Sequence, residues 1–139
     1  MAKPTAQMIE GFVDVPKQEV ILLLEAGYLL MQMGKNREAF DVFTGVAALV
    51  PHSDVPCVAL GNLFFGQGKF EQALKEHERA LKRDPTSALA QAHIGEVLFF
   101  QKKIDEGVAA LQKAIDMDPK GLPAKFAREL LKAKDVHIF

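Results

Sequence analysis

The chain has 139 residues, 49 % of them apolar, enough for one domain with a continuous core. Its 17 Lys and Arg against 18 Asp and Glu leave a net charge of −1, which excludes the basic field that attracts nucleic acid or an anionic membrane surface. The single cysteine, Cys57, excludes an internal disulfide framework, and no apolar run has the length of a signal peptide or a membrane-spanning helix; a cytoplasmic protein without membrane insertion is expected.

Residues 1–16 form a leader. Thr5 is placed to cap a short helical turn with Met8, Ile9 and Phe12 on one face, although Gly11 weakens that turn and Pro16 separates it from the rest of the chain. Helical spacing then predicts a helix over 17–33, with Leu23, Ala26, Gly27 and Leu30 on one face and Gly34 at its end. A second helix over 37–50 carries Ala39, Phe40, Phe43 and Val46 on one stripe and stops at Pro51. Ser53 is the expected N-cap of the third, where Pro56 is tolerated in the first turn and Leu60, Gly61 and Phe64 face the fourth helix. After a turn at Gly68, Phe70, Ala73, Leu74, Ala80 and Leu81 form the stripe of that fourth helix. Its other face is a solvated surface of Lys75, Glu76, Glu78, Arg79 and Lys82.

Ser87 is the expected cap of a fifth helix reaching residue 101. Lys102 stands where the earlier turns have Gly34 and Gly68, so keeping the same turn there costs about 1 kcal/mol. Ile104, Val108, Leu111, Ala114 and Ile115 mark the sixth helix. A seventh, over 122–134, has Pro123 in its first turn, Ala124, Ala127, Leu130 and Leu131 inward, and Lys125, Arg128, Glu129, Lys132 and Lys134 outward. The residues after it, Val136, His137, Ile138 and Phe139, are apolar for a free tail and are read as folding back on the helices or meeting a partner chain.

Catalytic chemistry is not supported. None of His52, His77, His93 and His137 has partners at metal-ligand spacing, and there is no nucleophile motif or phosphate-binding loop. His93 and Glu96, three apart on one helix, amount to a half-site and are read as hydrogen-bonding groups. His77 takes a packing position suited to an aromatic residue. Gly66-Gln67-Gly68 is a helix–helix turn, and Cys57 is an inert core thiol. The chain is expected to be no enzyme and to use no cofactor or metal.

Instead the sequence repeats. Gly27, Gly61 and Gly95 recur every 34 residues, as do Ala39, Ala73 and Gly107, and Pro51, Pro85 and Pro119. Gly107 replaces alanine because two helices cross closely there. The fullest copy runs from Asp54 to Pro85, and the period, the Leu-Gly pair, the alanine and the closing Asp-Pro are those of the tetratricopeptide repeat. The chain resembles that family over about 20–121, which implies an all-α fold: a three-repeat helix-turn-helix solenoid of repeats 20–53, 54–87 and 88–121, closed by a capping helix and apolar tail over 122–139. In that family the first helix of each repeat lines a concave, peptide-binding groove. Transferred to this chain, the family's groove positions give Leu24, Tyr28, Met31, Val58, Asn62, Phe65, Leu89, Ala92, Glu96 and Phe99, with Phe65 and Phe99 partly structural. The set carries no Lys or Arg. The family's clamp for the carboxylate end of a heat-shock chaperone needs Lys, Asn, Asn, Lys and Arg, where this chain has Leu24, Tyr28, Ala59, Leu89 and His93, so an apolar extended or helical guest is implied instead.

The stretches Gly34–Phe43, Leu60–Asn62 and His93–Lys103 resemble the type III secretion chaperones of the LcrH/SycD kind. That likeness implies a protein partner, an aggregation-prone secreted translocator, and a leader that supports dimerisation. The stretch Leu22–Phe40 equally resembles the small YscY-type proteins of the same export system, which pair with a small export component. That likeness implies an adaptor or scaffold role instead. The apolar leader and tail each suggest a contact, and a symmetric homodimer is the commonest closed form.

Overall fold

The computed structural model describes residues 16–139; the leader residues Thr5, Met8, Ile9, Gly11 and Phe12 lie outside the described residues. Among the described residues every regular element is a helix: α1 (Lys17–Gln32), α2 (Asn36–Leu49), α3 (Val55–Gly66), α4 (Phe70–Arg83), α5 (Ala88–Phe100), α6 (Ile104–Met117) and α7 (Leu122–Asp135). The ends fall within one residue of the expected ones, and no helix among these residues is long and apolar enough to cross a membrane. The chain divides into two compact units, one ending at Pro51 and one spanning 52–139.

The first unit holds the hairpin of α1 and α2. The chain reverses at Gly34, whose φ of 78° is open to glycine at little cost, while the Gly34 and Lys35 N–H groups donate to the carbonyls of Met31 (3.0 Å) and Leu30 (2.9 Å). The two helices approach closely because Gly27 has no side chain: the Phe43 ring occupies the space a Cβ would need. Tyr28 then meets Phe43 edge to face, with centroids 5.1 Å apart. Two expected faces change. On α2 the buried line is Ala39, Phe43, Val46 and Ala47, and Phe40 is 41 % exposed, because Phe40 lies about 100° around the helix from Ala39. On α1 only Gly27 is buried, and Leu23 and Ala26 are exposed, because α2 covers only the line through Gly27.

The second unit repeats the hairpin twice and adds α7, which packs on α5 and α6. His77 lies over Gly61 and Leu111 lies over Gly95, as Phe43 lies over Gly27. The residues against the glycines therefore keep the 34-residue period of the glycines themselves. Ser87 caps α5 as expected, its Oγ accepting from the Ala90 N–H at 3.1 Å and donating to Asp54 Oδ2 at 2.6 Å. At the start of α3 the N-cap is Asp54 rather than Ser53, and Ser53 Oγ accepts from the Val55 N–H at 3.2 Å. Pro56 has removed one of the N–H groups to which a cap normally bonds. Two apolar clusters result. Cys57, Val58, Ala80 and Ala90 gather Leu81 and Leu89. Phe99, Leu111 and Ala127 gather Ile104, Val108, Ile115, Leu130, Leu131 and Phe139. Of the face of α4 expected to be solvated, Lys75, Glu78, Arg79 and Lys82 retain accessible surface, but Glu76 is half-buried. Burial, offset in part by the Arg79 and Arg83 charges, pushes its carboxyl above the usual carboxylate range.

The turn between α5 and α6 keeps the geometry of the Gly68 turn, so Lys102 sits at a φ of 66° beside Gly68 at 75°. An L-residue is strained in that conformation and glycine is not. Lys102→Gly is expected to raise stability by about 1 kcal/mol, seen as a higher urea midpoint at an unchanged slope. A drop in the midpoint would show that the Lys102 side chain makes a contact worth more than the strain.

Candidate protein-binding site

The ten expected site residues fall in both units. In the first, α1 presents Leu24, Tyr28 and Met31, all half-buried. Around them the helix surface stays apolar, with Ile21 44 %, Leu22 66 %, Leu29 57 % and Met33 56 % exposed. A hollow of about 450 Å³ lies against Glu19, Leu22, Leu23 and Ala26.

In the second unit the seven remaining residues separate. Val58, Ala92 and Phe99 are buried at 2 %, 0 % and 0 % exposure and present almost no accessible surface in the structure. Val58 belongs to the cluster with Cys57, Ala80 and Ala90, and Phe99 lies on Gly107 and within the cluster of Leu111 and Ala127. Their helix positions matched a groove, but α5 is covered by neighbours on several sides, and α7 packs against it as well. Asn62, Phe65, Leu89 and Glu96 are half-buried and keep some accessible surface. Glu96 is already engaged: its Oε1 lies 3.0 Å from His93 Nδ1, in keeping with the reading of both as hydrogen-bonding groups.

Two features of this unit were not read from sequence. One is a run of rings at the turn ends of the hairpins. Phe65 meets Phe100 edge to face at 4.9 Å and Phe70 at 5.6 Å, and Phe139 returns from the tail onto Phe99 at 5.0 Å and Phe100 at 5.1 Å. The tail thus folds back, one of its two expected fates. The signal was present in Phe65 and Phe99, one period apart, with Phe70 and Phe100 a few residues after each, but their convergence needs the hairpin geometry. The other is a histidine stack. The rings of His77 and His93 lie 5.3 Å apart and nearly parallel, and Phe126 packs on the His93 ring at 5.1 Å. His77 is 0 % exposed, and neither of its ring nitrogens has a hydrogen-bond partner among the described residues. Burial, with the nearby His93 as a smaller cause, lowers its pKa to about 3. It is therefore a neutral packing group at pH 7. Arg79 Nε also reaches the buried Cys57 Sγ at 3.2 Å. No group of three or more His, Cys, Asp or Glu side chains among the described residues is arranged to hold a metal ion.

Residues 58–121 match a family model for the tetratricopeptide repeat. A sequence comparison with curated proteins finds no match. Among solved structures, the Yersinia enterocolitica type III secretion translocator chaperone SycD is 17 % identical, with a TM-score of 0.76, covering 91 % of this chain and 96 % of its own. The complex of that chaperone with a peptide of the translocator YopD is 16 % identical, with a TM-score of 0.71, covering 91 % of this chain and 100 % of its own. The first tetratricopeptide domain of Spaghetti (RPAP3), bound to the HSP90 peptide SRMEEVD, is 21 % identical, with a TM-score of 0.68, covering 91 % and 99 %. Residues 58–121 carry tetratricopeptide repeats, and the chain as a whole has a fold that resembles that of SycD.

Proposed function

We propose that this chain is a non-catalytic protein-binding module of three tetratricopeptide repeats with α7 as their cap, and that it acts as a cytoplasmic type III secretion chaperone holding an apolar segment of a secreted partner. The observation that carries this reading is the chemistry of the candidate residues that retain accessible surface. Leu24, Tyr28 and Met31 in the first unit, and Asn62, Phe65 and Leu89 in the second, include no cation, and the one anion, Glu96, is already bonded to His93. Neither set has anything with which to grip a carboxylate, and each suits the removal of apolar side chains from water.

That separates the two kinds of structural likeness. The heat-shock clamp would need cations at Leu24, Leu89 and His93, and Ala59, at another of its positions, is 0 % exposed. An apolar guest, extended or helical, fits this chain better than an acidic peptide. One observation favours a second reading. The outward surface of α1, with Leu22, Leu29 and Met33 each more than half exposed, suits a lasting contact of the kind an adaptor subunit of the export apparatus makes.

Tagged protein recovered from its own cells, together with identification of what accompanies it, tests both. A secreted apolar protein in stoichiometric amount supports the chaperone, and membrane-embedded export components support the adaptor. Tyr28→Ala and Phe65→Ala, made singly, are each expected to weaken capture at least about tenfold, a loss of about 1.4 kcal/mol of binding. Far-UV circular dichroism checks that the helices remain. Capture that survives both changes with helicity intact sinks the reading.

A further inference from the structure

The tail ends on a ring that the chain itself holds in place. After α7 the backbone reverses through His137, at a φ of 61°, and the Ile138 N–H donates to the Ala133 carbonyl at 3.0 Å. The reversal leaves Val136 68 % and Ile138 66 % exposed, so most of the tail faces water. Phe139 alone turns inward, onto the buried Phe99 and the edge of Phe100. Phe100 remains 44 % exposed although it also touches Phe65 and Phe70. Phe99 is thus a floor, Phe100 a wall, and Phe65 and Phe70 a backing that leads to the accessible candidate residues of the second unit.

We propose that these rings form a recognition socket for one aromatic side chain of the partner's apolar segment, and that Phe139 occupies the socket in cis until the partner displaces it. This rests on the reading of the chain as a holder of apolar segments and names the side chain that such a segment must carry. The resident ring is the argument for the occupant: a phenyl group is seated there, in edge-to-face and tilted contact with two other rings, the arrangement aromatic pairs prefer. Phe139 is also easily released, since the residues just before it bury little. A cis occupant docked nine-tenths of the time lowers the apparent affinity of a competing ring about tenfold.

The test uses the full chain and the capped peptide Asp-Val-His-Ile-Phe, which repeats residues 135–139, with binding read from amide chemical shifts near Phe99 to Lys102. The peptide is expected to bind the Phe139→Ala chain about tenfold more tightly than the unaltered chain, and the same peptide ending in alanine is expected not to bind. Equal affinity for both chains, no binding to Phe139→Ala, or equal binding of the alanine-ended peptide overturns the proposal. Phe139→Trp gives a second readout, because the chain has no other tryptophan. Its emission should be blue-shifted at rest and move to the red as the phenylalanine-ended peptide is added; red emission at rest also overturns the proposal. The two readings fail separately. Peptide results as expected, with no secreted protein captured from cells, leave the socket without the chaperone role. A secreted protein captured equally by the unaltered and Phe139→Ala chains leaves the chaperone role without the cis occupant.

Discussion

Phe99→Ala is expected to destabilise the chain by about 3–5 kcal/mol, the loss typical of truncating a fully buried phenylalanine. The side chain is 0 % exposed and joins α5 to α6 and α7 through Leu111 and Ala127. Domains of this size are stable by only about 5–15 kcal/mol, so the loss takes much of the total. The contact with Gly107 gives a stricter form of the prediction. A methyl group at Gly107 would stand inside the Phe99 ring, so Gly107→Ala alone is expected to cost about 1–3 kcal/mol by overpacking. In the Phe99→Ala background the same methyl enters space the ring has left and meets only the Gly95 carbonyl oxygen at 3.3 Å, a contact smaller than the better helix propensity of alanine, about 1 kcal/mol. The two changes should therefore be strongly non-additive, with Gly107→Ala destabilising in one background and stabilising in the other. Urea denaturation of the four proteins reads this directly; additive costs would mean that the α5–α6 crossing is not at these residues.

The same crossings explain how much could be read in advance. A glycine every 34 residues declares where two helices touch, and Gly27, Gly61 and Gly95 each lie under a side chain from the next helix. The Lys102 turn was legible for a like reason, because its place in the period fixed its backbone. The candidate site was less legible. A repeat position says which way a side chain leaves its helix, not what stands in front of it. Val58, Ala92 and Phe99 leave in the expected register and meet other side chains instead of solvent. Phe40 differs for the opposite reason: it lies just outside the buried line of Ala39, Phe43 and Val46 and meets solvent. The ring socket and the histidine stack join residues from separate helices, and pattern within a helix carries no information about such meetings.

His77 is expected to make the second unit acid-sensitive well above the pH at which carboxylates protonate. The ring sits where Phe43 and Leu111 sit in the other hairpins, so an imidazole fills a place shaped for an apolar group. Burial, then the neighbouring His93, lowers its folded pKa from 6.5 to about 3. The unfolded chain therefore takes up a proton at His77 more readily than the folded one. The contribution is fully present above pH 6.5 and is lost progressively as pH falls from 6.5 toward 3. Between pH 7.5 and pH 5 the loss is about 2 kcal/mol. Glu76 acts in the opposite sense, since burial raises its carboxyl, and the His93–Glu96 pair stands beside the His77 ring. A comparison with the His77→Phe chain cancels the Glu76 contribution, because the two proteins share that group. The His77→Phe chain should be at least as stable as the unaltered one at pH 7.5, having no buried polar nitrogen to leave unpaired. The stability gap between the two should then widen by about 2 kcal/mol by pH 5. A gap that stays constant across that range would mean that the His77 ring meets water or a proton acceptor in solution, and that the α4–α5 contact is looser than the stacked rings indicate.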